Sequence, residues 1–426
     1  MNADVVVIGA GAAGLIAAAE AAASGLKTVL LEKNRRPGVK ILMSGGTRCN
    51  LTQNTDRRGI VKAFGSQGPF LHSALALLGP AELVRLVEDE GVPTKVEETG
   101  KVFPVSNKAA DILRAFMQRL ERSGAELITE VAVEEIIRGE SGFVVRAGEQ
   151  TWRAPQIILT TGGLSYPGCG TTGDGYAWAR SFGHTIVPTN PALTPLSTSA
   201  AWVKELQGLT IPDLVLKVVV APRASEATIA AANSEKKKQG ILAEERGSFL
   251  FTHFGLSGPV VLDVSRAVTR SPRPMDFDLW CDFLPDTKAE PLEQTLQQAT
   301  ASDGKKQLAT LLGTLLPKRL VDAILQQTGL APELKMAELP KVARRKLVEQ
   351  IKRTVIPLAG YRGYEKAEVT AGGVSLDEVD SHTLQSKLVP GLFFAGEILD
   401  LDGPIGGYNF QAAFSTGMLA GRSVGK

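Results

Sequence analysis

Apolar positions at the start of the chain come in short unbroken runs rather than in alternation. Val5-Val6-Val7-Ile8, behind Asp4, is too short for a helix and apolar on both faces, which predicts a strand buried from both sides. From Ala12 to about Ser24 the chain is mostly alanine, which predicts a helix whose backbone lies close against a sheet, and Gly25 ends it. Thr28-Val29-Leu30-Leu31 reads as a second buried strand. Residues 71–124 read as helical, including a segment near Ala109–Arg122. Strands follow around Val131–Ile137 and Gly142–Val145, then the apolar strand Gln156–Thr160. This alternation predicts an α/β fold on a parallel sheet.

The pattern changes after Pro188. Pro188–Pro195 carries three prolines and reads as a linker. Ile211–Val220 and Ser248–Val264 are strand-like, and residues 290–353 are helical with Pro317, Pro332 and Pro340 as punctuation. Gly391–Ala395 is again a buried strand, followed by a glycine loop and a final helix from about Asn409. The predicted organisation is discontinuous. One α/β domain comprises residues 1–190 and 376–426, and it holds an insert at 191–375 that is β-rich over 191–289 and 354–375 and helical over 290–353.

Composition narrows the classes. At 426 residues, 44% hydrophobic and 22% charged, the chain has ample material for a large core. A net charge of +2 does not by itself call for a polyanionic partner. Cys49, Cys169 and Cys281 are odd in number and far apart, which speaks against a disulfide framework, a zinc site or a redox dithiol, and a reducing cytoplasm is the expected setting. The first strand starts without a basic leader ahead of it, and no uninterrupted apolar stretch approaches the roughly 20 residues that span a bilayer. No membrane association is expected.

The first chemical motif is Gly9-Ala10-Gly11-Ala12-Ala13-Gly14. A lone GxGxxG is weak, but this one follows a strand, opens a helix, and is completed by Glu32 at the end of the next strand. Gly9 permits the tight turn, Gly11 lets the backbone approach a pyrophosphate, and Gly14 lets helix and strand pack closely. The helix N-terminus then faces the phosphates, and Glu32 is placed to accept from an adenosine ribose. An Ala/Gly-rich packing turn without ligand is the plainer alternative, and it leaves Glu32 unexplained.

This unit alone does not separate NAD from FAD. The far end of the chain does: Gly396-Glu397 follows a buried strand, and Gly403–Asn409 opens the last helix. A ribityl chain needs a polar partner such as Glu397, and a flavin ring is served by a helix N-terminus near its pyrimidine edge. Lys40–Asn50 adds paired glycines, phosphate donors and an arginine, and Thr161-Gly162-Gly163 ends a buried strand.

At this point the sequence resembles a known family. The runs KILMSGGTRCN (40–50), TTGGLSYPGCGTTGDGY (160–176), THFGLSGPVVLD (252–263), EVTAGGVSLDEVD (368–380) and GLFFAGEILDLDGPIGGYNFQAAFSTG (391–417) are similar to those of the BaiN-like flavoproteins, formerly called YhiN-like. These are bacterial FAD-dependent oxidoreductases, and the resemblance covers essentially the whole chain. It implies a Rossmann-like, two-dinucleotide-binding-domain-type FAD domain with an inserted domain that is part β-barrel-like and part helical. It also implies FAD contacts at Gly9, Gly11, Ala12, Ala13 and Gly14; at Glu32, Lys33 and Lys40; at Ser44, Gly45, Gly46, Thr47, Arg48, Cys49 and Asn50; at Val131, Thr161, Gly162 and Gly163; and at Gly396, Glu397, Gly407, Tyr408 and Asn409.

No second nucleotide-binding domain is visible. The other literal GxGxxG, Gly168–Gly173, lies beyond Pro167 and reads as a loop and helix start. NADH or NADPH is therefore expected only as a transient electron donor at the flavin. For the chemistry itself, Cys49 is a candidate proton donor, with a small packed residue as the alternative. His253 is a candidate to polarise a substrate carbonyl, against a histidine bonded to backbone. Tyr361, Arg362 and Tyr364, where the insert returns, are candidates to line a substrate cleft, against a solvent-facing loop.

In the helical insert, Lys305, Lys306, Lys318, Arg319, Lys335, Lys341, Arg344, Arg345, Lys346, Lys352 and Arg353 outnumber Asp322, Glu333, Glu338 and Glu349. Solvated helix faces are the plain reading, and a phosphate-tracking surface that presents an RNA base is the sharper one. The leading expectation is a reductase that adds hydride to a C=C bond conjugated to a carbonyl, in an enone or a uracil ring. Uridine of ribosomal RNA, giving dihydrouridine, is one such acceptor. The alternatives are an oxidase of a small amine that uses oxygen, and a flavin-dependent RNA-binding or redox-sensing module without turnover.

Overall fold

In the computed structural model, which describes residues 1–229 and 240–426, the unbroken apolar runs become the middle of a parallel sheet. Its elements, with the helices that cover it, are β1 (Val5–Ile8), α1 (Ala12–Ala23), β2 (Thr28–Leu31), α2 (Ala109–Ser123), β3 (Glu126–Ile128), β4 (Gln156–Leu159), β5 (Leu392–Phe394) and α3 (Tyr408–Ser423). The strand order is β5-β4-β1-β2-β3, parallel throughout, with Val5 opposite both Gln156 and Thr28. A central strand flanked on both edges and covered on both faces has no polar side, which explains the absence of alternation in β1.

The chain forms two compact units, Met1–Pro191 with Ala367–Lys426, and Ala192–Lys366. In the first, α1 is buried almost all round. A Cβ on Gly417 would lie 2.4 Å from the Ala13 carbonyl oxygen, and one on Gly421 would lie 2.4 Å from that of Ala17. The two glycines therefore let α3 rest directly on the backbone of α1. α2 brings Ala109, Ile112, Ala115, Phe116 and Leu120 to one buried face at helical spacing, and Phe116 stacks on Phe414 of α3 at 4.4 Å. Glu20 of α1, 5% exposed, is paired with Arg119 of α2 and, at 2.6 Å, with Arg422 of α3.

The second unit holds a closed six-stranded barrel, in the order Leu196–Thr198, Gly255–Ser257, Ile241–Phe251, Thr210–Val220, Phe277–Asp282 and Thr354–Tyr361. Helices Ala289–Ser302, Lys318–Thr328 and Lys341–Lys352 bury Leu292, Leu296, Leu320, Ile324, Leu347 and Ile351 in the same apolar core. The fold class is α/β with a Rossmann-like domain and a barrel-plus-helix insert.

Several boundaries differ from the sequence expectation. The proline-rich Pro188–Pro195 is not a plain linker, since Ile186–Ala192 is a strand paired with Val369–Val374 in a two-stranded sheet. Both partners there are edges, where a missing N–H is tolerated. That pairing also returns the chain to the first unit at Ala367, before the expected residue 376. Residues 71–124 are not helical throughout: Thr94–Val96 and Lys101–Pro104 pair as a hairpin between helices. The strand-like Ser248–Val264 ends as a helix, Pro259–Thr269, because valines at 260, 261, 264 and 268 fit a buried helical face as well as a strand. The expected insert includes residues 230–239, which lie outside the described residues.

Among the described residues one helical run, Gly65–Asp89, has the length and a mean hydropathy of 1.4 that crossing a bilayer requires. Half of that stretch is buried within the protein, and the backbone breaks at Leu78 (φ −139°, ψ 81°) before Pro80 restarts it. Core helices account for it.

A buried polar clasp fastens the segment after the insert. His184 contacts Glu378 through Nδ1 (3.1 Å) and Ser386 through Nε2 (2.7 Å), and the Ser386 hydroxyl also accepts from the Val389 N–H at 2.8 Å. The connectivity is that of a hydrolytic triad, but Ser386 is only 5% exposed and its oxygen is fully used. Burial lowers the His184 pKa from 6.5, against the pull of Glu378, so the folded protein holds it neutral. Its stabilisation is complete above 6.5 and is lost as the pH falls below that value, where the unfolded chain takes up the proton first. The thermal midpoint should therefore fall on acidification below 6.5, and His184→Gln should flatten that fall while lowering the midpoint at neutral pH. Gly417→Val should cost about 1–3 kcal/mol by forcing α3 off α1, measured by denaturant unfolding.

Candidate functional site

The turn between β1 and α1 is built from inside out. A Cβ on Gly14 would sit 1.8 Å from the Gly9 carbonyl oxygen, so only glycine lets α1 approach the strand end. A Cβ on Gly11 would meet no atom within 4 Å. Gly9 and Gly14 are thus glycine for packing, whereas Gly11 keeps an open cradle at the N-terminus of α1, and that is where a pyrophosphate fits. Ala12 and Ala13 form the first turn beneath it. Gly46 is open in the same sense. The residues present fit a dinucleotide.

Glu32 ends β2 with its carboxylate held on both sides: Oε2 accepts from the Ala10 N–H and Oε1 from the Asn34 N–H, each at 2.8 Å. One further lone pair on each oxygen remains for a ribose. Val131 donates its N–H to the Glu32 carbonyl (3.0 Å), which puts these two predicted residues side by side. Lys33 turns away into an ion pair with Asp174 (2.5 Å) and a bond to Thr172 (2.5 Å), so its charge is used within the protein.

Lys40 lies in the segment Val39–Thr47, whose helix is broken at Ser44, Gly45 and Gly46. Its ammonium bonds Glu397 at 2.6 Å and Ser165 at 2.7 Å. Glu397 also accepts from the Ser165 hydroxyl (2.6 Å) and the Thr370 N–H (2.9 Å). The Thr370 hydroxyl in turn accepts from the N–H groups of Leu164 (2.8 Å) and Ser165 (3.1 Å), and it occupies the space a Cβ on Gly163 would need. Ser165 and Thr370 were not singled out in the sequence. Thr370 lies within the quoted run EVTAGGVSLDEVD, but nothing in its type or spacing announced a partner for Glu397. Gly162 is left-handed (φ +72°), and the Thr161 hydroxyl is buried over Gly175 with no hydrogen-bond partner among the described residues.

The rest of the 44–50 run is fastened to the protein rather than left free for phosphate. Arg48 pairs with Glu97 (2.6 Å) and lies 4.0 Å over the Phe103 ring. The Thr47 hydroxyl bonds the Gly46 carbonyl. Asn50, oriented by its hydrogen bonds, donates to the Thr52 carbonyl and accepts from the Gly407 N–H, both at 3.0 Å. It thereby ties this loop to the start of α3. Asn409 closes the loop before α3 through Gly403 at 2.8 Å, and Gly396 lies against the Cβ of Ala13. Tyr408 is the first residue of α3.

Cys49 is fully buried, and burial pushes its thiol up to about 12, with a smaller opposing effect from Ser44. A side chain without solvent exposure in the core serves packing, which argues against the proton-donor role expected for it. In the second unit, Phe254 gathers His253 and Arg362: the histidine ring meets it edge-on at 5.0 Å and the guanidinium stacks at 4.7 Å. Tyr361 ends the barrel strand opposite Leu196. Tyr364 lies beyond that strand, in the following turn.

The basic insert is less free than its composition indicated. Arg344 and Arg345 share Glu293, an acid the charge count had passed over. Arg319 bonds the Glu205 and Gln207 carbonyls, Lys346 bonds that of Thr328, Lys352 pairs with Asp282, and Arg353 pairs with Glu349. Lys305, Lys306, Lys318, Lys335 and Lys341 are exposed and without ion pairs among the described residues. The Met336 N–H on the Lys306 carbonyl (2.9 Å) brings Lys306 and Lys335 together.

A dinucleotide cradle at one end of the chain, completed by a glycine loop and helix from the other, defines a FAD-dependent oxidoreductase. The chain belongs to the HI0933-like protein Rossmann domain family, which it matches over residues 3–423. It is 34% identical to a ribosomal RNA dihydrouridine synthase of Escherichia coli, over 97% of this chain and 96% of that one. It is 31% identical to a 3-dehydro-bile acid delta(4,6)-reductase of Clostridium scindens, over 98% of each. Among solved structures, the Sdh1 complex of Mycobacterium smegmatis in the apo form is similar in fold, with a TM-score of 0.50 and 18% identity, covering 99% of this chain and 68% of that one.

Glu32→Ala should weaken FAD binding by the worth of a charged hydrogen bond, about 1.5–3 kcal/mol or roughly 10- to 150-fold in Kd. Gly11→Val should abolish binding by filling the cradle. Flavin absorbance retained through purification and dialysis checks both, and a yellow, folded Gly11→Val protein would contradict the assignment.

Proposed function

We propose that this protein is a reductase that adds hydrogen across a C=C bond conjugated to a carbonyl. The observation that carries this reading is the pair of full-length relatives with unrelated substrates. One is named for making dihydrouridine in ribosomal RNA and the other for reducing a 3-dehydro-bile acid. Both names describe hydrogen added to a carbon–carbon double bond in conjugation with a carbonyl, so the chemistry is shared although the substrates are not.

When bound, FAD supplies the hydride. This chain's own residues hold and orient it: the Gly9–Gly14 turn and the N-terminus of α1 take the pyrophosphate, Glu32 the ribose, and the Lys40–Glu397 pair with Ser165 the region beyond. Asn50 and Gly407 fix the approach to α3. Within the second unit, His253, edge-on to Phe254, is the candidate to polarise a substrate carbonyl, and Arg362, stacked on the same ring, the candidate to line a substrate cleft. NADH or NADPH is the proposed reductant.

Uridine of ribosomal RNA is the proposed acceptor. The exposed lysines 305, 306, 318, 335 and 341 support it as sites for backbone phosphate, since none is used in an ion pair among the described residues. A cytoplasmic setting goes with that substrate, and the three free, buried cysteines are in keeping with it.

Under nitrogen, the reduced protein should be reoxidised by a uridine-containing ribosomal RNA fragment or by an enone, and mass spectrometry of ribosomal RNA from a deletion strain should show dihydrouridine lost. Peroxide release with an amine, without anaerobic reoxidation by either acceptor, would replace the reading with the oxidase. Lys305→Glu/Lys306→Glu/Lys335→Glu should reduce the slope of log K for RNA against log salt by about 2–3.

A further inference from the structure

Most arginines of the second unit are spent inside it. Arg246 pairs with Asp213 and Asp286, Arg223 with Asp278, and Arg273 with Asp276. Arg362 is different. Its guanidinium lies 4.7 Å over the Phe254 ring, its side chain is exposed, and its N–H groups enter no hydrogen bond or ion pair among the described residues. His253, edge-on to the same ring at 5.0 Å, is likewise exposed and makes no hydrogen bond there.

Backbone bonds fix the ring between them. Thr252 and Gly255 close a turn with His253 and Phe254 at its corners: the Thr252 N–H donates to the Gly255 carbonyl (2.8 Å), and the Gly255 N–H donates to the Thr252 hydroxyl (3.1 Å). A Cβ on Gly255 would lie 2.4 Å from the Leu196 carbonyl oxygen, so the turn is seated directly on the barrel. Arg362 is anchored as well. Its N–H donates to the Pro195 carbonyl at 3.0 Å, and the Thr194 hydroxyl donates to the Gly363 carbonyl at 3.3 Å. Stacking costs a long side chain its rotamer freedom, and here no ion pair within the described residues offsets that cost. A guanidinium stacked by its face keeps its edge free, and that edge matches the two oxygens of a phosphate or a carboxylate.

We propose that Arg362, held on Phe254, is an oxyanion-binding residue of the second unit and takes the phosphate of the uridine nucleotide that is reduced. The identity of that nucleotide rests on the reductase reading. A carboxylate on a small enone offers the same two-oxygen edge and is the other source of the same chemistry. An anchored phosphate confines the uracil carbonyls to the neighbourhood of the anchor, where His253 stands at the edge of the same ring. Arg362 thereby favours a charged acceptor over a neutral one of the same ring chemistry.

The test uses the FAD-loaded protein, Arg362→Met, and Arg362→Lys, which keeps the charge but loses the fork. Flavin absorbance confirms that each variant is folded. Calorimetric titration compares uridine 3′- and 5′-monophosphate with uridine, and a cyclohexenone carboxylate with cyclohexenone. The native protein should bind one of the nucleotides about 10-fold or more tighter than uridine. Arg362→Met should erase that preference, and Arg362→Lys should restore it only in part. In anaerobic reoxidation the same loss should fall on KM rather than kcat, as expected for a contact made equally before and during the chemical step. A preference for the carboxylate alone, erased in Arg362→Met, keeps the oxyanion site and replaces the nucleotide with a small acid. Equal affinities within both pairs overturn the proposal, as does a preference undiminished in Arg362→Met. If the native protein is reoxidised by no acceptor, the reductase reading fails, and the calorimetric preference still decides whether Arg362 binds an oxyanion.

Discussion

The contact on which the first unit depends is the seat of α3 on α1. Glycines at 417 and 421 remove the side chains that would hold the helices apart, so backbone lies on backbone. Glu20 then places a carboxylate in the seam and binds arginines from α2 and α3 to it. A buried carboxylate without those partners would be costly, so it favours the one arrangement in which all three helices meet. The alanines of α1 do the complementary work on the sheet side. Because α1 also carries the dinucleotide turn at its N-terminus, the same seat brings the glycine loop before α3 to the cofactor cradle.

From this follows the crossing of distant segments at the flavin site. Asn50 reaches Gly407, Lys40 and Ser165 reach Glu397, and Thr370 closes the group from the strand after the insert. Charges that looked available for phosphate are mostly spent on this assembly: Lys33 on Asp174 and Arg48 on Glu97. On the proposed reading, phosphate recognition falls to backbone N–H groups and the α1 dipole, which a glycine turn supplies without a charged side chain.

Legibility in the sequence followed the range of the interactions. The β1–turn–α1–β2 unit was readable because its signals are local: an apolar run, a glycine spacing, an acid at the next strand end. The pairing of Ile186–Ala192 with Val369–Val374 was not, because two prolines dominate the local signal and the partner lies beyond the whole insert. Helix Pro259–Thr269 was misread since its valines satisfy either period over so short a stretch. The polar group at Glu397 was half visible. Glu397 stood in a glycine context that drew attention, while its partners Lys40, Ser165 and Thr370 come from segments distant in the chain. The basic insert was over-read for a similar reason, since Glu293 lies a helix away from the arginines it neutralises.

Glu20 and Arg422 are 402 residues apart in the chain. On the ribosome, α1 and the dinucleotide turn are therefore made first and wait for the entire insert before the helix that covers them exists. Such long-range closure is slow, and it leaves the apolar face of α1 uncovered meanwhile. The second unit, by contrast, is one continuous stretch, Ala192–Lys366, with its own core, and can form while the first remains open. Cofactor capture is on this account a late event in biosynthesis, and a chain interrupted anywhere before α3 would carry the fingerprint for FAD without the means to keep it.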